Sequence, residues 1–214
     1  WQAAGLPPLG LEHESFDLIY AVSVFTHLAD ESLPWLIELH RLLKPGGRLI
    51  ATYMGEWNSE WFAKEPWEPD RIGMNVLFKD RSWDVGGPAV LMSEWWVREH
   101  WGRLFQIDEI EPQFHNFAWA SMTKRDVKLT SKEVLAPSED PREIAALKHN
   151  IVQLQREVVS ELEYEKELGH KRLQDLECHY ERLLAQRDQH IAELQRSSSA
   201  RLRRLARQLL SRMA

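Results

Sequence analysis

A Pro45-Gly46-Gly47 turn joins a helix-patterned run to an apolar run, and this junction constrains the fold of the chain more than any other feature. Upstream of it, residues 16–24 are mostly apolar and alternate little, the pattern of a central strand covered on both faces. Leu33, Leu36, Ile37, Leu39, His40 and Leu43 then recur at helical spacing and form one apolar stripe. Asp30 is placed to cap that helix, with Glu31 in its first turn. Proline cannot continue the helix and the glycines accept the turn, so residues 48–54 read as a second buried strand. Strand, helix and strand at this spacing make one right-handed βαβ unit of a parallel sheet. The fold class is therefore α/β.

The rest of the chain divides unevenly. All ten Trp lie between Trp1 and Trp119, and no Trp, Phe or Pro follows Pro141. A compact half and an elongated half follow from that shift. The net charge of −6 argues against a general nucleic-acid binder, and no nucleic-acid partner is expected. Cys178 is the single cysteine, which excludes a disulfide framework and a zinc cluster. No apolar run approaches the roughly 20 residues a membrane span needs. No secretory leader is visible, so a cytoplasmic location is the expectation. Only fifteen residues precede the first strand and no initiator Met is present, which suggests a piece of a longer protein.

Residues 55–90 show no clean period and contain Trp57, Trp61, Trp67 and Trp83 with several Pro and Gly. A structureless stretch of that length is uncommon inside a compact domain, so short helices and a covering role are predicted. Ser93 is the cap of a helix over residues 94–105. Two strands follow, at about 106–112 and 116–124, with His115-Asn116 as a hairpin turn that makes the pair antiparallel. Residues 126–140 read as a linker. Beyond it Ile144, Leu147, Ile151, Leu154 and Val158 fall on a 3-4-3-4 spacing, a heptad seam. The seam falters around Gly169, resumes through Leu173, Leu176, Tyr180, Leu183, Ile191 and Leu194, and is broken by the serines at 197–199. Residues 201–214 are basic and amphipathic, with five Arg and no acid.

The order strand, helix, strand, lid, helix, hairpin resembles the C-terminal half of a class I S-adenosylmethionine-dependent methyltransferase. The resemblance is carried by Phe16-Asp17 opening one strand, Ser23-Val-Phe-Thr-His-Leu28 at its end, Leu42-Leu-Lys-Pro-Gly-Gly47 before the next, and Glu94-Trp-Trp-Val-Arg-Glu-His-Trp101 after the lid. It implies a partial Rossmann-like sheet with an antiparallel last strand over residues 1–125, with a lid at about 55–90. A linker over 126–140, a coiled coil over 141–196 and a basic tail over 197–214 complete the expected organisation. The family's glycine-rich cofactor loop would lie before Trp1. The position where a carboxylate often holds the adenine amino group offers only Gln2, Ala3 and Ala4.

On that resemblance the cofactor is S-adenosylmethionine, lined by Ala21, Val22 and Ser23 at the end of the first strand. His27, just beyond, is the candidate general base, since imidazole titrates near neutrality; its bland alternative is a histidine bonded to backbone. Tyr53, at the end of the next strand, is the second catalytic candidate. His40 reads as core and His115 as a turn residue. No spacing suits a metal. The implied reaction is methyl transfer to an oxygen or nitrogen of a small-molecule or glycan acceptor. The expected partners are a second copy through the heptads and, weakly, a membrane surface through the basic end. The competing reading is a non-catalytic coiled-coil scaffold with a vestigial methyltransferase-like domain.

Overall fold

A computed structural model describes residues 6–62 and 66–213, in two compact units, Trp1–Val158 and Val159–Ala214. In the first unit β1 (Phe16–Ala21) runs parallel to β2 (Leu43–Tyr53), the two joined through α1 (Ser32–Leu42). This is the strand-helix-strand unit read from the sequence. Helix α1 ends at Leu42, three residues before Pro45, because the residue preceding a proline is pushed out of the helical region. β5 (Phe105–Phe114) and β6 (Phe117–Lys124) form the antiparallel hairpin, and β6 pairs antiparallel with β2, giving the order β1-β2-β6-β5. His115 and Asn116 both take positive φ, 48° and 70°, as a two-residue hairpin loop demands.

Two expectations for this region are corrected. The first strand is not covered on both faces. Ile19, Ala21, Leu49, Ala51, Tyr53, Ala118, Ala120 and Met122 form the covered face. Phe16, Leu18 and Tyr20 point the other way and stand exposed, Tyr20 at 75%. Three of the four strands meet in antiparallel pairs, and such a sheet can keep one wet face. Asp30 is not the helix cap either. Glu31 occupies the cap position without a side-chain hydrogen bond, and Asp30 pairs with Lys79 at 2.9 Å.

The expected lid contains α2 (Glu56–Phe62) and a 3-10 turn at Trp83–Val85. It also holds two short strands, β3 (Met74–Leu77) and β4 (Ala89–Met92), which pair antiparallel as a separate sheet. The Met92 amide donates to the Met54 carbonyl at 2.8 Å, fastening this sheet to the end of β2. Helix α3 (Glu94–His100) starts at Ser93, whose hydroxyl accepts from the Trp96 amide as expected, but it ends early and passes into a 3-10 turn at Trp101–Arg103. Trp101 is fully buried and lies 4.7 Å from Phe25, centroid to centroid, at the middle of the core. Within residues 126–140 the structure builds α4 (Ser131–Leu135) on a Thr130/Glu133 capping box. Val134 of that helix is buried in the main core.

Helix α5 (Pro141–Met213) supplies the end of the first unit and all the regular structure of the second. Its first turns are strapped along β3. The Val76 amide donates to Asn150 Oδ1 and the Phe78 amide to Glu157 Oε2, each at 2.9 Å, while Asn75 donates to Gln153. An edge strand otherwise presents unpaired amides to any passing strand; here side-chain oxygens occupy them. Gly73 permits the approach, because a Cβ there would sit 2.9 Å from both Ala146 Cβ and Trp96 Cδ1. In the second unit Leu173, Leu176, Tyr180, Leu183, Ile191 and Leu194 are exposed. The helix continues through Ser197–Ser199, whose first and last hydroxyls fold back onto the carbonyls of Leu194 and Gln195. Of the basic tail, the side chains after Arg201 lie outside the described residues. Among the described residues no helix is long and apolar enough to cross a membrane.

Candidate functional site

β1 and β2 end side by side, with Ala21 in register with Ala51, and the crevice beyond such strand ends is where open α/β sheets take ligands. Ala21 is buried, whereas Val22, Ser23 and Val24 are exposed on the turn that follows. Ser23 adopts φ 55°, a left-handed conformation uncommon for a residue with a Cβ. The strain is held in place by Thr52, a fully buried residue near the end of β2, whose Oγ1 accepts from the Ser23 amide at 2.7 Å. The Ser23 and Thr26 hydroxyls lie 3.4 Å apart. The sequence singles out Ser23 but not Thr52, since a threonine within a strand carries no signal of its own.

His27 Nδ1 lies 2.7 Å from the Pro88 carbonyl, so its proton is donated there. In the neutral ring that leaves Nε2 as the acceptor. The backbone bond of the bland alternative is present, and it fixes the one tautomer a base at Nε2 requires. Trp83 stands edge-on to the imidazole at 5.9 Å.

Tyr53 lies apart from His27. It lines a cavity of about 270 Å³ with Gly55, Glu56, Trp67, Trp95 and Ala118, a cavity whose lining does not include His27. Burial, reinforced by the nearby Glu94 carboxylate, pushes the phenol well above its ordinary range. Tyr53 is therefore a hydrogen-bond donor at neutral pH rather than a base. Trp95 is fixed in the wall by donating to the carbonyls of Pro69 and Ile72 at 2.8 and 3.0 Å. Arg142 lies over its ring at 4.8 Å. Charge at the rim is mostly paired: Glu94 with Arg98 at 2.8 Å and Arg142 with Asp140 at 2.6 Å.

The remaining candidates serve structure. His40 Nε2 lies 2.9 Å from the Arg125 carbonyl with its ring against Phe105, and His115 sits in the hairpin loop. Gln2, Ala3 and Ala4 lie outside the described residues. Among the described residues no group of His, Cys, Asp or Glu could hold a metal ion.

Residues 2–51 match a family described as a methyltransferase domain. The matched segment contains the βαβ unit up to Ala51 together with Ala21–Ser23 and His27. The first unit thus carries a segment similar to a methyltransferase domain. No curated protein matches the chain. Among solved structures, an S-adenosylmethionine-dependent methyltransferase from Mesorhizobium loti is 17% identical, covering 57% of this chain and 68% of its own with a TM-score of 0.43. A protein from Pyrococcus horikoshii OT3 is 17% identical with a TM-score of 0.39, and covers 55% of this chain. A possible histamine N-methyltransferase from Thermotoga maritima is 18% identical with a TM-score of 0.39, and covers 55% of this chain. The chain spans 56% of the length of the Pyrococcus protein and 60% of the Thermotoga one.

The residues present fit one wall of an adenosyl site. Exposed Val22 and Val24 offer an apolar ledge, and Ser23 offers a hydroxyl held against Thr26.

Proposed function

We propose that the chain takes part in S-adenosylmethionine-dependent methyl transfer to an oxygen or nitrogen acceptor, a glycan hydroxyl being the acceptor favoured. In this reading the helical second unit tethers or oligomerises the domain. The observation that carries the reading is the Ser23–Thr52 bond, which holds a strained, exposed turn at the carboxyl ends of two adjacent parallel strands. The bound cofactor supplies a methyl group on a sulfonium that is its own leaving group. What remains for the protein is orientation of the acceptor and removal of its proton. Nε2 of His27 takes that proton, its tautomer set by the Pro88 carbonyl. Tyr53, kept protonated, offers a hydrogen-bond donor in the separate cavity that it lines and takes no part in that proton transfer. Flat exposed rings at Trp57, Trp61 and Trp83 support a sugar face as the acceptor surface.

Calorimetric titration of S-adenosylhomocysteine into the full chain tests this. Micromolar binding that weakens about tenfold in Thr52→Val, which frees the Ser23 amide, is the expected result (about 1.4 kcal/mol). A folded chain that takes up no ligand supports the second reading, a non-catalytic scaffold. That reading draws on the exposed face of β1, which no described residue covers.

A further inference from the structure

The first turns of α5 carry two interleaved heptad rows. Glu143, Ala146, Asn150, Gln153 and Glu157 are spaced 3-4-3-4 and face the unit's own body. Glu143 meets His100 at 3.0 Å, Ala146 enters the core beside Gly73, Asn150 and Gln153 bond to β3, and Glu157 bonds to the Phe78 amide just beyond it. One residue further on, Ile144, Leu147, Ile151, Leu154 and Val158 repeat the same spacing. Of these, Ile144, Leu147, Ile151 and Val158 are 63%, 50%, 54% and 55% exposed. The polar row does the intrachain packing, and the apolar row is left facing outward.

We infer that this outward row pairs with the same row of a second copy of the chain, parallel and in register. Ile144, Ile151 and Val158 occupy one kind of seam position and Leu147 and Leu154 the other. β-Branched residues alternating with leucine in this way favour parallel two-stranded coils. On the flanks, Glu143 and Asn150 are held by His100 and the Val76 amide, while Lys148 and Gln155 are exposed, so no like charges meet across the seam. Two heptads alone are short for a stable coil. The second unit, described by itself, has its own exposed row in Leu173, Leu176, Tyr180 and Leu183, in a register shifted by one residue. A second copy matches both rows by identity, and such an isologous pairing closes on itself as a dimer. The inference names the partner in the tethering part of the proposed function and does not depend on methyl transfer.

The test is sedimentation of the full chain together with a thiol cross-link. A dimer between about 1 and 100 µM is expected, and a monomer throughout that range overturns the inference. In a Cys178→Ser background, Ile151→Cys is expected to cross-link to its counterpart on oxidation. A dimer that fails to do so overturns the parallel register. Ile151→Glu is expected to give a monomer with unchanged thermal unfolding of the first unit. Asn150→Ala, in the polar row, is expected to stay dimeric while the Val76 amide exchanges faster; loss of the dimer there would show that the wrong row had been assigned. Binding of S-adenosylhomocysteine is read on the same samples, so failure of the dimer and failure of the methyltransferase reading are separate results.

Discussion

At the residue scale the most telling group outside the crevice is Glu38. It lies on α1 with its side chain 4% exposed, and accepts from Arg41 Nε and Nη2 and from the Leu9 amide at 2.7–2.8 Å. Arg41 also donates to the carbonyls of Leu9 and Leu11, so this pair fixes the segment leading into β1. The Arg41 hydrogen bonds hold the Glu38 carboxyl below its ordinary range, with the Leu9 amide helping and burial opposing. A depressed carboxylate contributes stability above its unfolded pKa and loses it as pH falls through the folded value. Glu38→Gln is therefore expected to cost about 1–3 kcal/mol at pH 7, with the difference shrinking below about pH 4.5, checked by urea unfolding at both ends of that range. None of this was legible in the sequence, where Glu38 reads as the polar side of an amphipathic helix. Asp30 misled in the opposite sense, as a good capping residue that found a lysine instead. Ser93 and the His115-Asn116 turn were legible, because their partners lie within three residues and local chemistry decides them.

At the scale of elements, α5 shows how much a heptad pattern conceals. Its apolar row was visible in the sequence. Its polar row looked like the solvated flank of a coil until β3 supplied amides for it. β3 and β4 were themselves invisible as strands, since four-residue runs carry no readable period. The strap they form with α5 is expected to weaken in acid. His100 is buried, stacks on Trp96 at 4.3 Å and donates from Nε2 to Glu143. Burial lowers its pKa first and foremost, and Arg103 adds to that, while the bond to Glu143 and the Glu99 charge oppose. A histidine with a lowered folded pKa stays neutral while the unfolded chain takes up a proton near 6.5, so stability falls as pH drops below that point. Urea midpoints are expected to decline from pH 7 to pH 5. His40 is lowered by burial too and contributes with the same sign. The informative quantity is therefore the difference between slopes: His100→Gln, which keeps a donor toward Glu143, is expected to flatten the decline. An unchanged slope would mean that the strap does not respond to His100.

At the scale of the whole chain, the question is what the sheet's second face costs the protein. The sequence read β1 as a buried central strand from its run of apolar residues, and half of that run is indeed core. The other half, Phe16, Leu18 and Tyr20, is 38–75% exposed, next to Arg48 and Ile50 in register on β2. Apolar character alone cannot say how many faces a strand buries; its neighbours decide, and here they are antiparallel strands that leave one face open. An exposed apolar strip on a terminal strand of a sheet invites association with other chains. Leu18→Lys combined with Tyr20→Lys is expected to raise the concentration at which the chain stays clear, with less than about 0.5 kcal/mol change in unfolding free energy, because neither side chain packs in the core. Light scattering and urea unfolding on the same samples check both halves of that statement. A marked loss of stability would instead show that this face is covered in solution. Because the heptad rows of α5 are untouched by these changes, the dimer expected from them should survive, which separates specific pairing through the helix from adhesion through the sheet.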